Sequence, residues 1–360
     1  MTNKNWHVIG LMSGTSLDGL DLAYVKFGRE NGYTFEILET DSVPYSEKWK
    51  KKLFEAFGES GENLTLLSAE YGRYLGSCVN EFRRNFQIEK IDFVASHGHT
   101  VFHRPEKGYT LQIGRGECLA AETGLKVICD FRSQDVALGG QGAPLVPIGD
   151  ELLFNEYDFC LNIGGFANLS FNDGKFRRAF DVCPANIVMN GYTRKVGFDF
   201  DDRGRMASEG SPDQELLRSL NNMPFYDMEQ PKSLGYEYVV EQVFPLIDSY
   251  GLDLKDVLST FAEHVAMQIA SSIERALKKP KNKSPRLLVT GGGAFNDHLL
   301  QRIEHHCPVQ VEVPDREIIE FKEALIFAFL GLLRDQKEIN CLKSVTGARK
   351  DHSSGVIYEF

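Results

Sequence analysis

The chain has 360 residues, of which 42% are hydrophobic and 25% charged, so it is long enough for two cores and too rich in apolar residues for a disordered chain. Its formal net charge of −11 argues against a general nucleic-acid or anionic-membrane surface, since both need basic patches. The seven cysteines are odd in number, form no C-x-x-C pair and mostly adjoin apolar residues, which is the pattern of reduced thiols in a cytoplasmic protein.

The N-terminal residues lack the apolar core of a signal peptide, and the longest apolar stretch, Ala324 to Leu333, is too short to span a bilayer. An apolar run, Val8 to Met12, breaks at Ser13-Gly14-Thr15-Ser16-Leu17-Asp18-Gly19 and resumes over Leu20 to Val25. This spacing predicts a hairpin. Its glycines allow backbone N–H groups to approach an anion, two hydroxyls add donors, and Asp18 can hold Mg²⁺; a plain hairpin turn has the same pattern.

A third strand is predicted near Tyr33–Leu38, helices around Glu47–Phe57 and Leu64–Phe86, and a short buried strand at Ile91–Ala95. A glycine-rich crossing at Leu138–Pro144 suggests a domain junction. The segment Phe159–Phe171, with Asn162 and the turn Gly164-Gly165, repeats the strand–turn–strand design of the opening. A long amphipathic helix over Leu254–Lys278 is core by its spacing. The strand Arg286–Thr290 then runs into Gly291-Gly292-Gly293 and a helix starting near Asn296, where nucleotide phosphate or adenosine can approach the backbone. Neither a P-loop nor a Rossmann glycine motif is present. Three glycine turns, two of them in related hairpins, suggest a duplicated fold with nucleotide held in the cleft between two lobes.

The run Gly10-Leu11-Met12-Ser13-Gly14-Thr15-Ser16-Leu17-Asp18-Gly19 resembles the signature of the anhydro-N-acetylmuramic acid kinase family. Further similar segments are Ser96-His97-Gly98-His99-Thr100, His103-Arg104-Pro105, Leu111–Gly114, Asp130-Phe131-Arg132, Gly139–Pro147, Asn162–Gly165, Pro231-Lys232-Ser233, Gly291–Gly293 and Glu323-Ala324-Leu325. The resemblance implies an α/β fold of the actin, hexokinase and Hsp70 type, with two ribonuclease-H-like lobes and ATP·Mg²⁺ between them. The expected lobes are 1–134 plus about 346–360, and 135–345. The implied reaction belongs to peptidoglycan recycling: water opens the 1,6-anhydro bridge while O6 takes the γ-phosphoryl group, giving N-acetylmuramic acid 6-phosphate and ADP. Lobe closure is expected, and a homodimer is common in the family.

Phe180-Asp181-Val182-Cys183-Pro184-Ala185-Asn186 stands where the family usually has Phe-Asp-Thr-Gly-Pro-Gly-Asn, whose aspartate is the catalytic base. The resemblance therefore makes Asp181 the base; without it, Asp181 reads better as a cap for a helix after Pro184. Val182, Cys183 and Ala185 depart from the pattern, which leaves open a kinase for another sugar or a weakly active muropeptide-binding sensor. Glu323, on a helical pattern beginning near Glu320, is implied as a second catalytic carboxylate, against a solvated helix-face residue. Gly14, Thr15, Ser16, Asp18, Gly19, Asn162, Gly164, Gly165, Gly291, Gly292, Gly293 and Asn296 are the implied nucleotide-binding residues, with Asp18 beside the metal. His97, Thr100, Arg132 and Asn186 are the implied sugar-binding residues, Arg132 by pairing with the lactyl carboxylate, although an ordinary ion pair is its simpler role. His97, His99 and His103 lack a nearby acidic or cysteine partner for a metal, and Asp199–Gly210 fails as a calcium loop.

Overall fold

The structure, a computed structural model, describes residues 4–14, 17–228, 232–277 and 284–360. They divide into two compact units, 1–153 with 321–360 and 154–320. In the first, β1 (Lys4–Ser13) and β2 (Gly19–Arg29) form the opening hairpin and β3 (Tyr33–Pro44) continues it antiparallel. The chain then forms helices Glu47–Glu55 and Gly61–Asn85, the second capped by the Ser60 side chain accepting from Asn63 N–H. It returns in β4 (Phe93–Ser96), followed by a small separate hairpin of β5 (His99–Arg104) and β6 (Tyr109–Ile113), and then by β7 (Val127–Cys129).

Strands β4 and β7 add parallel to β1, and the C-terminal strand Val356–Tyr358 closes that edge antiparallel to β7. The second unit contains β8 (Phe159–Ile163), β9 (Phe166–Asn172), β10 (Arg177–Pro184), β11 (Arg286–Thr290) and β12 (Gln310–Glu312). Its order is β10-β9-β8-β11-β12, with β8, β9 and β10 antiparallel and β11 and β12 added parallel. Each sheet thus runs third-second-first-fourth-fifth in its own strand count, the ribonuclease-H-like order, and the sheet of the first unit carries one additional edge strand. The duplication expected from the two similar hairpins is present.

Each sheet is buttressed by helices whose apolar stripes it buries. In the first unit, Ile9, Leu11, Leu20 and Leu22 pack with Leu67, Tyr71, Leu75 and Phe82 of the helix Gly61–Asn85. In the second, the helix Leu254–Ala276 buries Val257, Leu258, Phe261, Val265, Ile269 and Ile273 against Leu161, Leu169 and Val289. Lys278, the expected end of that helix, lies outside the described residues.

Two expectations shift. The helix expected near Glu320 begins four residues earlier, as Arg316–Asp335. The boundaries fall at 153/154 and 320/321 rather than at 134/135 and 345/346 because the glycine-rich crossing is tied to the first unit. Gly142 N–H donates to Asp135 Oδ2 (2.7 Å), Gln141 N–H donates to Thr346 O (2.7 Å), and the buried Lys322 and Asp150 form an ion pair at 2.8 Å. The helix Arg316–Asp335 also lies directly on β1: a Cβ on Gly10 would stand 2.1 Å from Ala324 O. Gly10 therefore serves close helix–strand approach rather than anion binding.

Candidate functional site

The tip between β1 and β2 is held from below. Tyr45 N–H donates to Asp18 O (3.2 Å), Tyr45 OH donates to Ser13 Oγ (2.7 Å), and Ser13 Oγ lies 3.2 Å from His99 Nδ1. Leu17 takes φ 61°, a left-handed conformation that costs a branched side chain about 1–2 kcal/mol. The exposed Asp18 carboxylate at this strained turn is a hard oxygen donor of the kind Mg²⁺ takes together with water and phosphate oxygens, so the residue fits the ion. Thr15 and Ser16 lie outside the described residues.

Further along the first unit, Arg132 is held by two bonds. Its Nε donates to His97 Nε2 (2.9 Å) and its Nη1 to Gly142 O (2.6 Å). His97 Nδ1 faces Gly98 O at 2.9 Å, and because a carbonyl only accepts, Nδ1 carries the hydrogen and Nε2 accepts from Arg132. Both His97 ring nitrogens are therefore engaged in orienting Arg132. Burial, with the Arg132 charge added, keeps His97 neutral, and burial brings the guanidinium down to about 10. The rest of the guanidinium fork remains available for a carboxylate.

Glu323 is open to water although protein surrounds it on most sides; desolvation raises its carboxyl, Arg132 opposes that rise and Asp21 adds to it. Thr100, on β5, accepts from Gln112 Nε2 at 3.3 Å. His99, buried beneath the tip, is lowered to about 4 by desolvation.

In the second unit, Asp181 lies on β10 at a register shift between Asp181 and Cys183. Asp181 keeps its pairing with Asn168, and the shift passes over Val182, so Cys183 joins Val182 in the core rather than sharing the face of Asp181. Val182, Cys183 and Ala185 point into the core, all under 2% exposed, whereas Asp181 stays half-buried. Its Oδ1 accepts from Asn168 Nδ2 and its Oδ2 from Leu234 N–H (2.7 Å), while its own N–H donates to Lys232 O (3.0 Å). Desolvation raises the carboxyl above the usual aspartate range, only partly countered by the Leu234 N–H. Asp181 is not a helix cap: the helix after Pro184 starts at Asn186, with Ala185 at its cap position and no side-chain cap bond.

Asn168 was missed in the sequence, yet the hairpin register contains it. Asn172 faces Arg177 across the turn, and four residues further from the turn Asn168 faces Asp181. Lys232 sits with its ammonium 4.2 Å from the Phe225 ring and is lowered by desolvation; Pro231, beside it, lies outside the described residues.

The turn Gly164-Gly165 joins β8 and β9 and accepts the N–H groups of Asn186 (3.2 Å) and Ala185 (2.8 Å). Asn186 Nδ2 in turn donates to Ile163 O (3.3 Å). After β11, a Cβ on Gly291 would lie 2.7 Å from Asn162 Oδ1, and one on Gly293 would lie 2.3 Å from the Ile163 side chain. Packing alone demands those two glycines. Gly292 has room, its nearest neighbour being Asn186 Nδ2 at 3.7 Å. Asn296 caps the helix Asp297–His306 by accepting Leu299 N–H (2.9 Å), so its side-chain oxygen is engaged within the chain.

The family model described as anhydro-N-acetylmuramic acid kinase matches residues 6–360. The chain belongs to the anhydro-N-acetylmuramic acid kinase family. The anhydro-N-acetylmuramic acid kinase of Crocosphaera subtropica is 34% identical over 382 residues, covering 98% of each chain. That of Caldanaerobacter subterraneus is also 34% identical, over 95% of this chain and 94% of its own. Among solved structures, the activator of the 2-hydroxyisocaproyl-CoA dehydratase from Clostridium difficile with bound ADPNP aligns over 92% of this chain and 96% of its own, at 13% identity and a TM-score of 0.45. As a member of the anhydro-N-acetylmuramic acid kinase family the chain is a kinase with ATP as its phosphoryl donor. No helix among the described residues is long and apolar enough to cross a membrane.

Proposed function

We propose that this chain phosphorylates 1,6-anhydro-N-acetylmuramic acid in peptidoglycan recycling, adding water at C1 and the γ-phosphoryl group of ATP at O6. Asp181 takes a proton from the attacking water as the C1–O6 bond breaks, O6 attacks the γ-phosphorus, and ADP leaves. The observation that carries this role is the Asp181 carboxylate itself, half-buried on its strand, held by Asn168 and the Leu234 N–H, and raised by burial above an ordinary aspartate. Asn168 and Leu234 fix the direction of the lone pairs and so hold the base in one orientation.

Asp18 is the residue that would hold Mg²⁺, which supplies charge neutralisation at the phosphates. Thr15 and Ser16 remain assigned to the nucleotide on family resemblance alone. The backbone at Gly14, Gly19, Gly164, Gly165 and Gly292, with Asn162, is proposed to meet the nucleotide. Arg132 is proposed to hold the lactyl carboxylate, with His97 acting through it, and Thr100 and Asn186 to contact the sugar. Glu323 is proposed to help orient the water. The seven free cysteines suit a cytoplasmic setting.

The test is incubation with ATP, Mg²⁺ and 1,6-anhydro-N-acetylmuramic acid, read by mass spectrometry. The expected product carries one added water and one added phosphate. ADP release without that product would overturn the assignment.

A further inference from the structure

Away from the residues assigned above, three chemically different side chains converge inside the first unit. Asp135 lies in the helix Ser133–Ala137, and Cys341 and His352 face one another in an isolated antiparallel bridge of the C-terminal segment. Their ligand-type atoms lie within 4.8 Å of one another, and none of the three residues is more than 5% exposed.

The histidine has a defined tautomer. His352 Nδ1 faces Lys350 O at 3.1 Å, and since a carbonyl only accepts, Nδ1 carries the hydrogen of the neutral ring. That leaves Nε2 as a bare lone pair, buried, without a hydrogen-bond partner and 3.6 Å from Asp135 Oδ1. A lone pair facing a carboxylate at that distance is repulsive unless a cation sits between them. A carbonyl on the far ring nitrogen is also the arrangement that orients metal-binding histidines.

Asp135 adds to the case. Among the described residues its carboxylate oxygens accept from neutral groups, Thr346 Oγ1–H at 2.8 Å and Gly142 N–H at 2.7 Å, and no cation is in hydrogen-bond contact with them. A proton on His352 would serve the carboxylate but leave Cys341 without a role. Cys341 Sγ makes a long hydrogen bond to Phe131 O at 4.0 Å. The neighbouring Ser353 Oγ and Ser354 Oγ are also buried without partners.

We propose that Asp135, Cys341 and His352 form a structural divalent-metal site whose donor set selects zinc. A thiolate, a carboxylate and a neutral imidazole around Zn²⁺ sum to zero charge, which suits a buried site, and water completes the tetrahedron. Binding releases the thiol proton and involves no redox step. Zinc bonds of about 2.0–2.3 Å place tetrahedral ligands roughly 3.3–3.8 Å apart, so the histidine–aspartate pair at 3.6 Å already fits and no other pair has to close by more than about 1 Å. The ion clips the C-terminal segment to the helix and glycine-rich loop that also present Gly142 O to Arg132. This proposal is independent of the kinase assignment.

The test uses the full chain, stripped with a chelator and titrated with Co²⁺ and then Zn²⁺. One Co²⁺ per chain should give tetrahedral visible bands and a thiolate-to-cobalt charge-transfer band, both abolished by stoichiometric Zn²⁺. Cys341→Ser should remove the charge-transfer band, Cys307→Ser should leave it intact, and His352→Gln should weaken affinity by roughly tenfold or more. Should Cys341→Ser fold poorly, loss of the visible bands in His352→Gln with an unchanged circular-dichroism spectrum decides the same point. Absence of stoichiometric binding, or a charge-transfer band that survives Cys341→Ser, overturns the site.

Discussion

The two units contain the same five-strand order and differ in what they hang on it. The first unit's hairpin ends in a strained tip with an exposed carboxylate at Asp18, and the unit's other proposed site residues include the charged or titratable Arg132, His97 and Glu323. The second unit's hairpin turns on Gly164-Gly165, and the carboxylate proposed as the base, Asp181, is held by an amide side chain and a backbone N–H. Neutral donors fix a carboxylate without a cation's strong pull on its pKa, which suits the base proposed at Asp181. The same scaffold thus carries the charged groups proposed for binding in one unit and the proposed base in the other.

Breaking the proposed base should have the largest effect. Asp181→Asn is expected to lower kcat by about 10²–10⁴, with the circular-dichroism spectrum unchanged. The acid limb of kcat/KM provides a finer reading. The base must be ionised, and its raised pKa places the limb above the usual carboxylate range, with activity falling as pH drops through it. The stability sign runs the other way. The folded chain holds this proton more tightly than the unfolded chain, so the contribution to stability is present at low pH and lost as pH rises through the raised pKa. The difference in Tm between wild type and Asp181→Asn should therefore change with pH across that window.

On the charged side, Arg132→Lys should raise KM for the sugar by roughly 10–100-fold, the effect of losing a charge-assisted bond of about 1.5–3 kcal/mol. A neutral analogue without the lactyl carboxylate should show no such difference between wild type and variant. If it does, the loss lies in the bonds to His97 and Gly142 rather than in the substrate.

A smaller effect separates packing glycines from ligand-facing ones. Gly10→Ala meets Ala324 O, and Gly293→Ala meets the Ile163 side chain; each should cost about 1–3 kcal/mol in denaturant unfolding. Gly292→Ala has space and should leave stability nearly unchanged while raising KM for ATP. Smallest of all on the fold is Asp18→Asn, which should leave Tm unchanged and shift the Mg²⁺ concentration for half-maximal rate upward. An unchanged Mg²⁺ dependence would remove Asp18 from the metal.

Most of the architecture was legible because it is local. The opening hairpin, the strands Phe159–Ile163 and Arg286–Thr290 and the long helix from Leu254 announce themselves by alternation, helical spacing and the glycines that end them. What escaped depends on partners far away in the chain. The small hairpin of β5 and β6, the edge strand Val356–Tyr358 and the attachment of the glycine-rich crossing to Thr346 carry no local period. Within the site, the residue types were readable but their duties were not. His97 orients Arg132, Asn296 caps a helix, and two of the three glycines after β11 answer to packing.

The sequence by itself determined the duplicated hairpins and the family, and through the family pattern it singled out Asp181, because these rest on residue types at short spacing. Tertiary structure alone decided which neighbours of Asp181 matter. Val182, Cys183 and Ala185, which differ from the usual family pattern, turn into the core, while Asn168 from the adjacent strand and Leu234 from a distant segment grip the carboxylate. The physical reason is the bulge at Asp181: a strand's period of two assigns faces only while its register holds, and one shifted residue reassigns them.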